Sequence, residues 1–185
     1  MQKQKIIKPV TGAMFLAIGL VLPFLTGQIP QIGKMLLPMH LPVILCGFIC
    51  GPYYGLLVGF ILPLVRSFIF SMPVMYPAAI AMAFELGAYG FLTGFLFTRA
   101  RWQCMKSLYR CLILSMLGGR IVWGVATAVL MGVGGEAFTL SAFLSGAFLT
   151  SIPGIILQLV AVPAVMLALN KTHFVHFKRK MVNEN

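Results

Sequence analysis

Aspartate is absent from the chain, and glutamate occurs only at Glu85, Glu136 and Glu184. Magnesium–diphosphate chemistry, ATP hydrolysis and most carboxylate–metal sites draw on several acidic ligands. This chain cannot assemble them. Charge of either sign is scarce: 9% of residues are charged and 60% are hydrophobic, with a mean hydropathy of +0.98. A soluble core of 185 residues could not hide so much apolar surface, so the chain must live in a bilayer. Disulfides are not expected either. Cys46, Cys50, Cys104 and Cys111 lie in or beside apolar runs and read as small packing residues. No repeat of fixed period is visible, which counts against inverted-repeat secondary carriers. The first apolar run lacks a small-residue cleavage site after it and reads as a retained helix.

What is present is basic charge, unevenly distributed. The formal net charge is +11, and eleven of the fourteen Lys and Arg fall in three clusters. These are Lys3, Lys5 and Lys8; then Arg99, Arg101, Lys106 and Arg110; then Lys171, Lys178, Arg179 and Lys180. Basic clusters beside apolar runs mark the cytoplasmic face of a membrane protein, with anionic lipid rather than nucleic acid as neighbour. The expected fold is an all-α integral membrane protein, one domain over residues 1–185. Six spans are expected, at about 10–25, 36–50, 53–70, 78–97, 111–133 and 140–169, with N- and C-termini cytoplasmic. Pro153 and Pro163 could kink the long last run.

Residues 37–66 stand out within this plan. Gly47, Gly51, Gly55 and Gly59 recur every fourth residue, a spacing that stacks small residues on one helix face where backbones can approach closely. Pro52 and the Tyr53–Tyr54 pair interrupt the run, which predicts two spans joined by a tight turn. Lys34, Arg66 and Arg120 are the only Lys or Arg outside the basic clusters. Together with His40, Glu85, Tyr89, Trp123 and Gln158 they map to the outer half or midplane of the predicted bundle. Ionisable groups at membrane depth are functional candidates. Glu85 with Arg66 or Arg120 could also be a structural ion pair. Two arginines against one carboxylate leave a positive charge over, which points to an anionic or acceptor-rich ligand. His40 reads equally as an interfacial histidine or a ligand contact. The Tyr89 and Trp123 rings read as packing or as a stacking platform.

These residues carry a family likeness. In size, predicted topology and glycine-rich second and third spans, the chain resembles the substrate-binding S components of energy-coupling factor (ECF) transporters, importers of vitamins. Ala13-Met-Phe-Leu-Ala17 looks like the small-xxx-small signature in their first helix. The segments around His40 and Glu85 look like the branch that includes pantothenate- and riboflavin-type members. The resemblance implies an outward-facing pocket for a vitamin or vitamin precursor, covered by loops at 28–34 and 71–77. Carried onto this chain, its binding residues would be Lys34, His40, Arg66, Glu85, Tyr89, Arg120, Trp123 and Gln158. It also implies docking through Ala13 and Ala17 on a transmembrane coupling subunit that works with two ATPase subunits in the cell membrane. No catalytic residue, cofactor or metal is expected; Met39-His40 resembles the start of nickel and cobalt S components, but here it is internal and lacks acidic partners. Two other readings compete: a stand-alone carrier or channel, and a small membrane enzyme with His40 as base. The arginines suit a carboxylate such as pantothenate's, which is the substrate favoured first. Glu85 suits the amino edge of a pyrimidine, pterin or deazapurine; riboflavin and pyridoxine also remain open.

Overall fold

Residues 2–26, 36–100, 104–133, 139, 145 and 151–171 are described by the computed structural model. Their regular structure is helical, in the order α1 (Gln2–Val21), a 3-10 turn (Leu22–Thr26), α2 (His40–Cys50), α3 (Pro52–Phe70), a π-type turn (Met75–Ala79), α4 (Ile80–Arg99), α5 (Met105–Val133) and α6 (Ile152–Lys171). Among the described residues, five helices are long and apolar enough to cross a membrane. The expected second span is different. Helix α2 has 11 residues, about 16 Å at 1.5 Å per residue, against a hydrocarbon core of about 30 Å. It starts at His40 rather than at 36 because Leu37 takes a positive φ of 49°, which an α-helix cannot contain. Pro42 is tolerated in its first turn, where backbone N–H groups have no helical partner. Residues 140–144 and 146–150 of the expected sixth span lie outside the described residues.

Helix α2 is short and central. Nine of its residues are buried, from His40 and Pro42 to Cys50, and it packs on α1, α3, α4 and α6. The α2–α3 turn is a single residue, Gly51, at φ 96°. A side chain there would be strained, and Pro52 at the first position of α3 follows without losing a hydrogen bond. Of the expected glycine face, Gly51 sits in the turn and faces open space, Gly55 lies against Gly47 of α2, and Gly55 and Gly59 also meet a third helix. A Cβ on Gly90 of α4 would stand 2.1 Å from the Gly55 carbonyl oxygen, and one on Gly59 would stand 2.3 Å from the Leu86 oxygen. The α3 and α4 backbones therefore touch directly.

Helix α1 buries a narrow stripe of Thr11, Gly12, Phe15 and Gly19. Gly12 faces Tyr54 and Val58, and Gly19 faces Leu62, so α1 runs parallel to α3. The opposite stripe is exposed and apolar: Val10, Ala13, Met14, Ala17, Ile18 and Val21. Helices α4 and α5 run antiparallel, with Gly118 against Leu92 and Gly119 against Tyr89. Helix α6 continues through Pro163 and buries one stripe made of Gly154, Gln158, Val162 and Met166. The aliphatic core, centred on Val43, Ile44, Leu62, Leu86, Leu108 and Leu112, surrounds α2. The described basic residues Lys8, Arg99, Lys106 and Arg110 are exposed. They sit at the start of α1, the end of α4 and the start of α5.

Candidate ligand site

Polar side chains inside this core collect around one carboxylate. Glu85 lies six residues into α4 and is 2% exposed. Its Oε1 stands 2.9 Å from Arg120 NH1 on α5 and 3.5 Å from His40 Nε2 at the start of α2. Helices α2 and α5 thus each bring one nitrogen group to a single carboxylate oxygen on α4. Glu85 precedes Arg99 by fourteen residues, about 21 Å along the helix. The cluster therefore lies in the half of the bundle away from the basic end.

Tyr89 stands one turn below Glu85 on α4 and closes the cluster on one side. Its ring meets His40 edge-to-face with centroids 5.2 Å apart. Gly119 makes room for that ring: a Cβ at 119 would lie 2.9 Å from the Tyr89 ring carbons. The residue beside Arg120 is thus small for a geometric reason, and the tyrosine and arginine can occupy one level.

The cluster is buried but not internally satisfied. Among the described residues, both ring nitrogens of His40, Glu85 Oε1, Arg120 Nε and NH2, the Thr127 hydroxyl and both amide atoms of Gln158 lack hydrogen-bond partners. The 2.9 Å contact of Glu85 and Arg120 is an ion pair by distance, not a directed hydrogen bond. An unmatched buried donor or acceptor costs about 1–3 kcal/mol, more when charged, and the His40, Glu85 and Arg120 atoms among these belong to one cluster. Other interior hydroxyls are paired locally. Thr93 donates to the Tyr89 carbonyl oxygen and Ser115 to that of Leu112.

Of the sequence-predicted residues, the structure brings together His40, Glu85, Tyr89 and Arg120. Gln158 is fully buried on the inward stripe of α6, a helix that packs against α2 and α5. Trp123 is half-buried one turn beyond Arg120. Arg66 is directed elsewhere. Its NH1 donates to the Leu20 carbonyl oxygen at 2.8 Å, and its guanidinium lies over the rings of Phe24 and Phe70 at 5.5 and 5.4 Å. It ties the end of α1 to the end of α3. Lys34 lies outside the described residues. Sequence reasoning missed Thr127, whose spacing of seven from Arg120 places it on the same helix face; that spacing was the available signal. An apolar groove containing Leu57, Phe60, Phe84 and Ala88 opens on a different face of α4 and includes none of these polar groups. At the end of the bundle that holds the cluster, the Tyr76 hydroxyl donates to the Leu130 carbonyl oxygen and fastens the α3–α4 connection to α5.

Among the described residues there is no group of three or more His, Cys, Asp or Glu side chains able to hold a metal ion. The family model described as "ECF transporter, substrate-specific component" matches residues 8–166. Comparison with curated proteins and with solved structures returned no match.

Proposed function

The chain belongs to the family of ECF transporter substrate-specific components, and on that premise we propose that the His40–Glu85–Arg120 cluster, extended by Gln158 and Thr127, is its ligand site. The family is one of transporter binding subunits rather than of enzymes, and its members are multi-pass membrane proteins. The observation that carries the site is the set of buried, unmatched polar atoms on α2, α4, α5 and α6. A small molecule with several hydrogen-bonding groups would satisfy them together; a purely structural role would leave their cost standing.

In this reading the protein captures a vitamin or vitamin precursor from outside the cell membrane. A coupling subunit and two ATPase subunits drive its uptake. The basic end of the bundle faces the cytoplasm, both termini lie there, and the ligand site occupies the outer half. The exposed apolar stripe of α1 with Ala13 and Ala17 supports docking of the coupling subunit on that helix, because two alanines four residues apart allow close helix approach. Pantothenate, favoured when two arginines were counted toward the site, loses half of that argument, since Arg66 bonds Leu20.

The test is to purify the protein, unfold it and identify the released compound by mass spectrometry, then measure rebinding. A vitamin-class compound that rebinds with a Kd of about 1 µM or tighter, some 8 kcal/mol, supports the reading. Release of no such compound, with no rebinding, overturns it. Import by this chain alone in vesicles without ATPases would instead establish a stand-alone carrier.

A further inference from the structure

Among the described residues, the Glu85 carboxylate and the Arg120 guanidinium offset each other, and this bears on the class of ligand the site can hold. Among the described residues, the charged side chains on the cluster-bearing side of the bundle are Arg66, Glu85 and Arg120. Arg66 is engaged by the Leu20 carbonyl and two aromatic rings and does not take part. Arg120 is already neutralised by Glu85 at 2.9 Å. The Glu85–Arg120 pair itself carries no net charge.

The hydrogen-bonding groups point the same way. Gln158 offers a donor at Nε2 and an acceptor at Oε1, both unmatched and fully buried. Arg120 adds donors at Nε and NH2, Glu85 adds an acceptor at Oε1, and His40 adds two unmatched ring nitrogens. A carboxylate only accepts. It would leave the Gln158 oxygen and the Glu85 oxygen unmatched, and it would bury a second negative charge beside Glu85. A ring edge that alternates N–H and C=O, as in an imide, a lactam or an aminopyrimidine, can answer both kinds of group.

We propose that the ligand of this site is an uncharged planar heterocycle read along a donor–acceptor edge, and that vitamins recognised through a carboxylate are excluded by the Glu85–Arg120 pair. This rests on the assignment of the cluster as the ligand site. It makes Glu85 a specificity-determining residue. With Glu85 in place a carboxylate meets an arginine that is already matched; with a neutral isostere there, Arg120 becomes an unpaired cation.

The experiment uses ligand-free protein in lipid nanodiscs. Calorimetric titrations compare riboflavin, pyridoxine and 7-deazaguanine with pantothenate and biotin. The charge of any compound released from freshly purified protein is determined alongside. The expected result is a neutral released compound, and carboxylates that bind about 100-fold or more weakly than the best neutral ring, as burial of an unbalanced charge demands. Glu85→Gln is expected to weaken the released compound about 10-fold or more and to strengthen pantothenate by a similar factor, the scale of one charge-assisted contact. Gln158→Met, which adds no charge, is expected to weaken the released compound and leave pantothenate unimproved. An anionic released compound, a carboxylate as the tightest wild-type ligand, or no gain for pantothenate in folded Glu85→Gln would overturn the proposal. Release of nothing and binding of none of the probes would overturn the ligand-site assignment on which it rests.

Discussion

Arg66 and Arg120 are both buried in an apolar bundle, 3% and 5% exposed. Arg66 gives one nitrogen to a backbone carbonyl at the end of α1 and lays its plane near two phenylalanine rings. Arg120 meets one carboxylate oxygen and keeps Nε and NH2 unmatched, among neighbours that are unmatched as well. The first is a strap between two helices; the second belongs to the proposed ligand site, where hydrogen-bonding capacity is left over. The difference teaches that a buried arginine is not by itself a sign of a ligand. Buried hydrogen-bonding capacity left over after the neighbours are counted is the better sign.

The largest expected separation comes from removing each arginine in turn. Arg120→Met should weaken ligand binding by about 100-fold or more, and should cost about 3–5 kcal/mol of stability by leaving Glu85 buried without its cation. Adding Glu85→Leu should return that stability, since an apolar pair is often neutral or better than a buried ion pair by about 1–4 kcal/mol. The affinity should not return. Thermal unfolding and titration on the same samples separate the two effects.

Gln158→Met should act in opposite directions on the two readouts. Affinity should fall by about 10-fold, while the ligand-free protein should gain about 1–2 kcal/mol because a buried unmatched amide is removed. A ligand-free protein made less stable would mean that Gln158 serves packing. Arg66→Met should lower stability by about 1–3 kcal/mol through the lost charged hydrogen bond and ring contacts. It should leave affinity within about 3-fold, the ordinary scatter of a remote change. A larger loss would break the contrast between the two arginines.

The smallest effect on the purified protein is expected at the exposed stripe of α1. Ala13→Leu and Ala17→Leu should leave affinity and stability nearly unchanged, within about 0.5 kcal/mol, as surface changes do. Uptake in cells that supply the coupling and ATPase subunits should nevertheless be lost. Retained uptake would remove the docking role from these alanines, and lost binding would place them in the wrong part of the account.

The helical, membrane-embedded class was legible because it rests on composition and on runs such as 53–70 and 111–133; the helices Pro52–Phe70 and Met105–Val133 contain these runs, the second beginning six residues earlier. The tight turn at Gly51 was legible from Pro52 and the glycine spacing. The shortness of α2 was not, since Leu37 extends an apolar run while its backbone breaks the helix. The glycine face was visible in residues 47–59, but its partner, Gly90 on α4, depends on which helices become neighbours. The same limit applies to the site. Depth in a span can be counted from the sequence, and that placed His40, Glu85 and Arg120 in one half of the bundle. Rotation about the helix axis and the choice of neighbour cannot be counted. Arg66 therefore looked like a second ligand cation until α1 lay beside it. Thr127 carried a seven-residue spacing from Arg120 that only acquires meaning once that face turns inward.

One measurement bears most directly on the central claim: the dissociation constant of the co-purified ligand, determined side by side for the wild type, Arg66→Met and Arg120→Met in nanodiscs. The account predicts a loss of about 100-fold or more, some 2.7 kcal/mol, for Arg120→Met and little change for Arg66→Met. Equal losses in the two folded variants, or a greater loss for Arg66→Met, would contradict it.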